Sequence, residues 1–245
     1  MPNKQKHRGH HANDPKFFSD KWIPTLNHAV DDLAFLLTRG YSGQSSLKLV
    51  GDRYMLSKRQ RKALWRATCS DQSLQHRITH RVSHTDISGQ NLAIDGYNQL
   101  ITIESSLAGG MIFLCRDGCY RDIASIHGTY RKVEETLPAL ELIGESLDTL
   151  GPRHVHWFLD APVSNSGRLK TIMHELAAEK DFSWEIELVN NPDKSIVELS
   201  NHIVISADGW VIDHSESWFN LSQYIIDKLP GREVYHLTGL NIRGY

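Results

Sequence analysis

The sequence predicts an α/β protein with a mainly parallel central sheet, preceded by a small all-helical N-terminal region. Three observations carry this. From residue 91 onward, short apolar runs alternate with segments of helical period, the signature of strand–helix units. Between Arg39 and Arg66 there are eight basic residues and one acid, Asp52, so a basic segment precedes the alternating part. Three of the later apolar runs end in aspartate: "LAID" at Asp95, "WFLD" at Asp160 and "VISAD" at Asp208.

In chain order, residues 1–16 are polar and basic with no apolar leader segment, and read as a disordered tail. Residues 17–70 read as a basic helical domain. Leu26, Val30, Leu33 and Leu37 recur at helical spacing within 20–39, with Gly40 as a C-terminal stop. Ser57 followed by Gln60 is a capping-box pair opening a second helix over Lys58–Ala67. Residues 71–90 are a polar connector, either helical or extended.

The α/β part spans 91–245. "NLAID" is a buried strand, followed by a helix with Leu100, Ile103 and Leu107 on one face, stopped at Gly109-Gly110. "MIFLCRDGCYRDI" forms a hairpin about Asp117-Gly118. The next helix carries Val133, Leu137, Leu140, Leu147 and Leu150 on one face. Strand "HVHWFLD", helix "SGRLKTIMHELAAE", strand "WEIELV", a helix opening at Asp193, strand "HIVISAD", helix "WFNLSQYIIDKL" and strand "EVYHL" complete the order.

Composition narrows the class. A 40% apolar and 23% charged content in 245 residues is that of a globular protein, and no apolar run is long enough to cross a bilayer. Cys69, Cys115 and Cys119 give an odd count without a C-x-x-C pair, which predicts reduced thiols and a cytoplasmic setting, and falls short of a zinc ligand set.

In a parallel sheet all carboxyl-terminal strand ends lie along one edge, where ligands bind. Asp95, Asp160 and Asp208 would meet there, joined by Asp193 at the helix start after "EIELV". Each alone reads more simply as a helix N-cap. Four at one edge repel one another unless a cation or raised pKa values relieve them. Hard oxygen donors favour Mg2+ or Mn2+.

"LAIDGYN", "FLDAPVSNSG", "NNPDKSIVE" and "VISADGWVID" resemble, in that order, the acidic motifs of PIN-like nucleases of the NYN branch. The whole chain also looks like an uncharacterised prokaryotic family that joins a small basic helical part to such a domain. The nuclease resemblance covers about residues 91–240. It implies a PIN-like three-layer fold and a metal-dependent endoribonuclease using Mg2+ or Mn2+, with Asp95, Asp160, Asp193 and Asp208 as metal ligands and catalytic residues. It also implies Asn98, Glu104 and Asp213 as supporting residues. Two departures stand out: Ala207 separates Ser206 from Asp208, and the "CRDGCYRD" hairpin is an insertion.

RNA is the expected partner, no membrane is, and a homo-oligomer is compatible with the sequence. Candidate phosphate or RNA contacts are Ser164, Asn165, Ser166 and Arg168 at a helix start, Arg121, His127 and Arg131 after the hairpin, and Lys58, Arg59 and Arg61 in the basic helix. N-capping by Ser164 or Ser166 is an equal alternative, a solvated helix face is the simpler role for the basic helix and a structural hydrogen bond for His127; Trp65 and Tyr54 could stack on bases, but at this spacing such residues more often belong to a core. The alternative is a non-catalytic RNA-binding or adaptor protein of the same fold. A haloacid-dehalogenase phosphatase is excluded, because Tyr97 stands where its second aspartate is required, and no Walker A loop or dinucleotide fingerprint follows a strand.

Overall fold

The computed structural model describes residues 7–9, 11–124 and 128–240. Five helices come first: α1 (Asp14–Phe17), α2 (Ile23–Thr38), α3 (Gly43–Arg53), α4 (Lys58–Ala67) and α5 (Asp71–His80). The α/β part follows as β1 (Asn91–Asp95), α6 (Gly96–Leu107), β2 (Ile112–Cys115), β3 (Tyr120–Asp122), α7 (Thr136–Leu150), β4 (His154–Asp160) and α8 (Ser166–Lys180). It ends with β5 (Trp184–Val189), α9 (Pro192–Val197), β6 (Ile203–Ile205), α10 (Gly209–Asp213), α11 (Leu221–Ile226) and β7 (Tyr235–Leu237).

The main sheet is parallel, in the order β5-β4-β1-β6. Both faces of its central strand are buried. Leu92 and Ile94 join a core with α6, α7 and α8, while Ala93 points to a second core with Phe158, Val204, Val211 and Trp218. That two-sided burial is why β1 reads as a continuous apolar run. The alternation in the sequence therefore gives the parallel sheet it predicts.

A second, three-stranded sheet, β3-β2-β7, was not foreseen. The last strand pairs with the hairpin, parallel to β2, and not with the main sheet. Its residues Phe113, Cys115 and Leu237 share a core with Leu26, Val30, Leu33 and Leu64 of the helical region. The hairpin thus mortises the N-terminal helices to the α/β part.

Other boundaries differ from the sequence reading for local reasons. Residues of the supposed tail are packed into the fold. Arg8 is buried, its guanidinium donating to Glu104 at 2.6 Å and to the Arg131 carbonyl at 2.7 Å, and Asp14 is buried against Arg59. Those ion pairs hold a segment whose composition alone predicts disorder. Helix α3 was missed because its glycines and serines mask the period. The connector holds helix α5, capped by Ser70. Helix α7 starts at Thr136, so Val133 is buried outside it, and Leu137 faces outward at 38% exposure. All three thiols are buried and unbonded. No helix among the described residues is long and apolar enough to cross a membrane.

One glycine fixes how β1 delivers its aspartate. A Cβ on Gly96 would come within 2.6 Å of the Leu159 side chain and 2.9 Å of the Phe158 carbonyl oxygen. The backbone oxygen cannot step aside. Gly96→Ala is expected to cost about 1–3 kcal/mol, as overpacking does, measured by urea denaturation. An unchanged midpoint would show that α6 can move away from β4 freely.

Candidate functional site

Asp95 ends β1 and caps α6, accepting the Asn98 backbone N–H at 3.3 Å. Its other oxygen accepts the Ser206 hydroxyl at 2.9 Å. Strand β6 stops at Ile205, so Asp208 lies in the turn beyond it, not at the strand end. There it caps the short helix α10 through the N–H groups of Trp210 and Val211. Ser206 links the two acids, since its Oγ also accepts the Asp208 N–H at 3.0 Å. Asp193 sits in the first turn of α9, just after β5.

Asp95, Asp193 and Asp208 line one cavity of about 380 Å³, together with Asp122, Lys62 and Arg66. Burial, then the charges of Asp193 and Asp208, push Asp95 up to about 7, against the opposing Ser206 and Asn98 hydrogen bonds. Asp193 is raised too, by burial and then by Asp208 and Asp160. Asp160 stands apart. It ends β4 opposite Val189, whereas Asp95 pairs with Phe158, two residues earlier on the same strand. Burial raises its carboxyl, and its Oδ1 is buried without a hydrogen-bond partner. Among the described residues, no group of three or more His, Cys, Asp or Glu side chains is closed up to hold a metal ion directly.

The turn carrying Asp208 is clamped from both sides. The Ala207 N–H donates to the Asn98 side chain at 3.0 Å, and the Ala207 carbonyl accepts Arg121 at 2.6 Å. Arg121 is fully enclosed, forking onto Asp117 at 2.8 and 2.6 Å. Asp117 also holds Arg77 at 2.6 Å, and Arg77 reaches Asp213 at 2.7 and 2.8 Å. Arg121 is therefore committed to Asp117 and to the turn that carries Asp208. Asp213 anchors Arg77. Burial opposes ionisation of Asp117, but Arg121 and then Arg77 outweigh it and hold its carboxyl well below the usual range.

Other expected residues fall elsewhere. Glu104 is fully buried and faces away from the cavity, its oxygens taken by Arg8, Tyr130 and Thr136 at 2.5–2.6 Å. Burial raises its carboxyl. Arg59 is committed to Asp14 and the Gly9 carbonyl, and Arg61 to Asp52 and the Leu56 carbonyl, so of that trio only Lys58 is exposed. Tyr54 donates its hydroxyl to Asp32. Asn165, Arg168 and Arg131 do meet, lining a separate cavity of about 640 Å³ with Lys132. Ser166 is buried against the Ala161 carbonyl, and Ser164 bridges by its backbone to Gly128 and Tyr130. His127 lies outside the described residues.

Lys62, Arg66 and Asp122 were missed as cavity residues. The signal was available: Lys58, Lys62 and Arg66 recur at i, i+4 along one face of α4. Lys62 donates to the Ile123 and Ala124 carbonyls at 2.8 and 2.7 Å, and burial, then Arg66, pulls it down to about 8.

Two family models match the chain. One, described as Domain of unknown function (DUF5616), covers residues 84–224; the other, Protein of unknown function (DUF434), covers residues 25–79. Uncharacterized protein MJ0935 of Methanocaldococcus jannaschii is 32% identical over 203 residues, 83% of this chain and 94% of that protein. No solved structure matches.

Proposed function

As the chain belongs to the family described as Domain of unknown function (DUF5616), a description that names no chemistry, we propose its function from the cavity: metal-dependent hydrolysis of RNA phosphodiester bonds. The observation that carries this is one cavity lined by Asp95, Asp193 and Asp208, from three separate strand–helix junctions, with Lys62 and Arg66 in the same wall. The motif resemblance to PIN-like, NYN-type nucleases supports the same reading, and a PIN-like fold goes with it.

The residues fit Mg2+ or Mn2+. The donors are hard oxygens, and after burial the charges of Asp193 and Asp208 raise Asp95 and those of Asp208 and Asp160 raise Asp193, which is the like-charge strain a cation relieves. Mg2+ keeps several waters and needs only one or two carboxylates, so a closed three-ligand cage is not required. Asp95, Asp193 and Asp208 would hold it, with Asp160 and its unpartnered oxygen at the flank. The ion supplies neutralisation of charge developing on the phosphate. Lys62 and Arg66 hold the phosphate against the acids. Ser206 and Asn98 fix the orientation of Asp95, and the clamp on Ala207 fixes that of Asp208.

The test is incubation of a mixed RNA pool with Mg2+, Mn2+ or EDTA, for wild type, Asp193→Asn and Asp208→Asn. Cleavage that needs metal and is lost in both variants is expected. Equal cleavage by all three proteins would sink the catalytic reading. RNA binding without any cleavage would favour the adaptor alternative.

A further inference from the structure

A second cavity, of about 630 Å³, adjoins the acidic one and shares Arg66, Asn98 and Asp208 with it. Two tryptophans line it, Trp65 and Trp210, and they are 47% and 48% exposed. Each exposed indole offers a large flat apolar face with a polar N–H at its edge. Both rings are held in place. Trp65 lies against Gly43, where a Cβ would come within 2.6 Å of the ring. Trp210 stacks on His214 with centroids 4.3 Å apart and planes 27° from parallel. The Trp210 backbone N–H donates to Asp208 at 2.9 Å, so its position is tied to the acid itself.

We propose that this cavity is a base-stacking subsite: Trp65 and Trp210 receive unpaired nucleobases of a single-stranded RNA whose phosphate sits at the neighbouring acidic cavity. The inference rests on the ribonuclease reading for its ligand and gives that reading its substrate class. Base–aromatic stacking tolerates any sequence, because every base has a π-face. A duplex hides those faces and would need a base flipped out first. The cavity lining includes the charged Arg66, Arg77, Arg121, Asp208 and Asp213, not the depleted-charge centre that a protein partner covers. The two indoles come from opposite ends of the sequence, one from α4 and one from α10. The subsite therefore exists only because the helical region docks on the α/β part.

The test is fluorescence anisotropy with a short labelled oligoadenylate, its abasic counterpart and its duplex with oligouridylate, all in Ca2+ so that the acids keep a cation, with each probe shown intact by gel after the titration. Wild type is expected to prefer the single strand over both others. Trp65→Ala and Trp210→Ala should each weaken single-strand binding about 10-fold and leave the abasic strand unaffected, since stacking is worth that scale per base. Trp65→Phe and Trp210→Phe, which keep an aromatic face, should recover most of the affinity and control for folding. Single-strand binding unchanged in the alanine variants would overturn the proposal. So would equal wild-type affinity for the abasic strand, or no binding at all. A shift in self-association on size exclusion, with RNA ignored, would assign the indoles to a protein contact and overturn it as well. Absence of cleavage with intact stacking removes only the catalytic reading. Cleavage lost in the aspartate variants, with no effect of the tryptophans on binding, removes only the subsite.

Discussion

Asp117→Asn is expected to destabilise the protein by about 3–5 kcal/mol, the range for breaking a buried ion pair by removing one partner. Asp117 is 4% exposed and carries two guanidiniums, Arg77 and Arg121, both buried. Without the carboxylate, Arg121 keeps the Ala207 carbonyl but no anionic partner, while Arg77 keeps Asp213. The uncompensated cation is thus Arg121, and removing it should restore part of the loss. The double variant Asp117→Leu with Arg121→Met is expected to be more stable than Asp117→Asn, because well-packed apolar replacements of a buried pair are often near neutral. Urea denaturation of the three proteins checks this; a double variant no better than the single one would mean that the arginine is not what is left stranded. The sign with pH follows. The folded pKa of Asp117 is depressed, so its contribution is present above the usual carboxylate range and is lost only as pH falls through that lower value.

The same network shows what a sequence can and cannot reveal. Strand β1 was legible because burial on both faces writes itself as an uninterrupted apolar run, and β5, at the sheet edge, because its apolar residues alternate with Glu185 and Glu187. Helix α4 was legible because Ser57 and Gln60 spell its cap, and both capping hydrogen bonds form. The pairing of β7 with β2 was not legible, since a short strand near the end of the chain carries no mark of which sheet it joins. Nor was the ordered segment about Arg8, which depends on Glu104, a residue 96 positions away.

The site divides in the same way. That Asp95, Asp193 and Asp208 share a cavity follows from topology alone, because parallel strands send their carboxyl ends to one edge. That Asp160 sits farther along the edge depends on strand register, which apolar runs do not encode. That Arg121 and Arg59 are paired was not legible, because charge is visible in sequence and pairing is not. Their carboxylate partners, Asp117 and Asp14, had been read as a turn residue and part of a tail. Trp65 shows the reverse: its helical neighbours Ala63 and Leu64 are core, yet it faces out beside Arg66.

Asp95→Asn is expected to make the metal-free protein more stable at pH 8 while abolishing RNA cleavage. Asparagine is as good an N-cap as aspartate, so α6 keeps its start. Its amide oxygen can accept the Asn98 N–H, and its NH2 can donate to the Ser206 oxygen. What disappears is the charge. The folded pKa of Asp95 is raised to about 7 by burial and by Asp193 and Asp208, so its neutral form is favoured in the folded state. The associated stability is therefore fully present below the unfolded value of about 4 and is lost as pH rises through 7, a difference on the order of 4 kcal/mol. In EDTA, wild-type stability relative to Asp95→Asn should fall over that window. Adding Mg2+ at pH 8 should then raise the wild-type melting temperature, by about 2.7 kcal/mol of stability at a hundredfold excess over Kd, and leave the variant unmoved. Equal stabilisation of both proteins by Mg2+ would place the ion elsewhere. A wild type that loses nothing against the variant between pH 5 and 8 would mean that the acids do not strain one another, and that the cavity has no built-in demand for a cation.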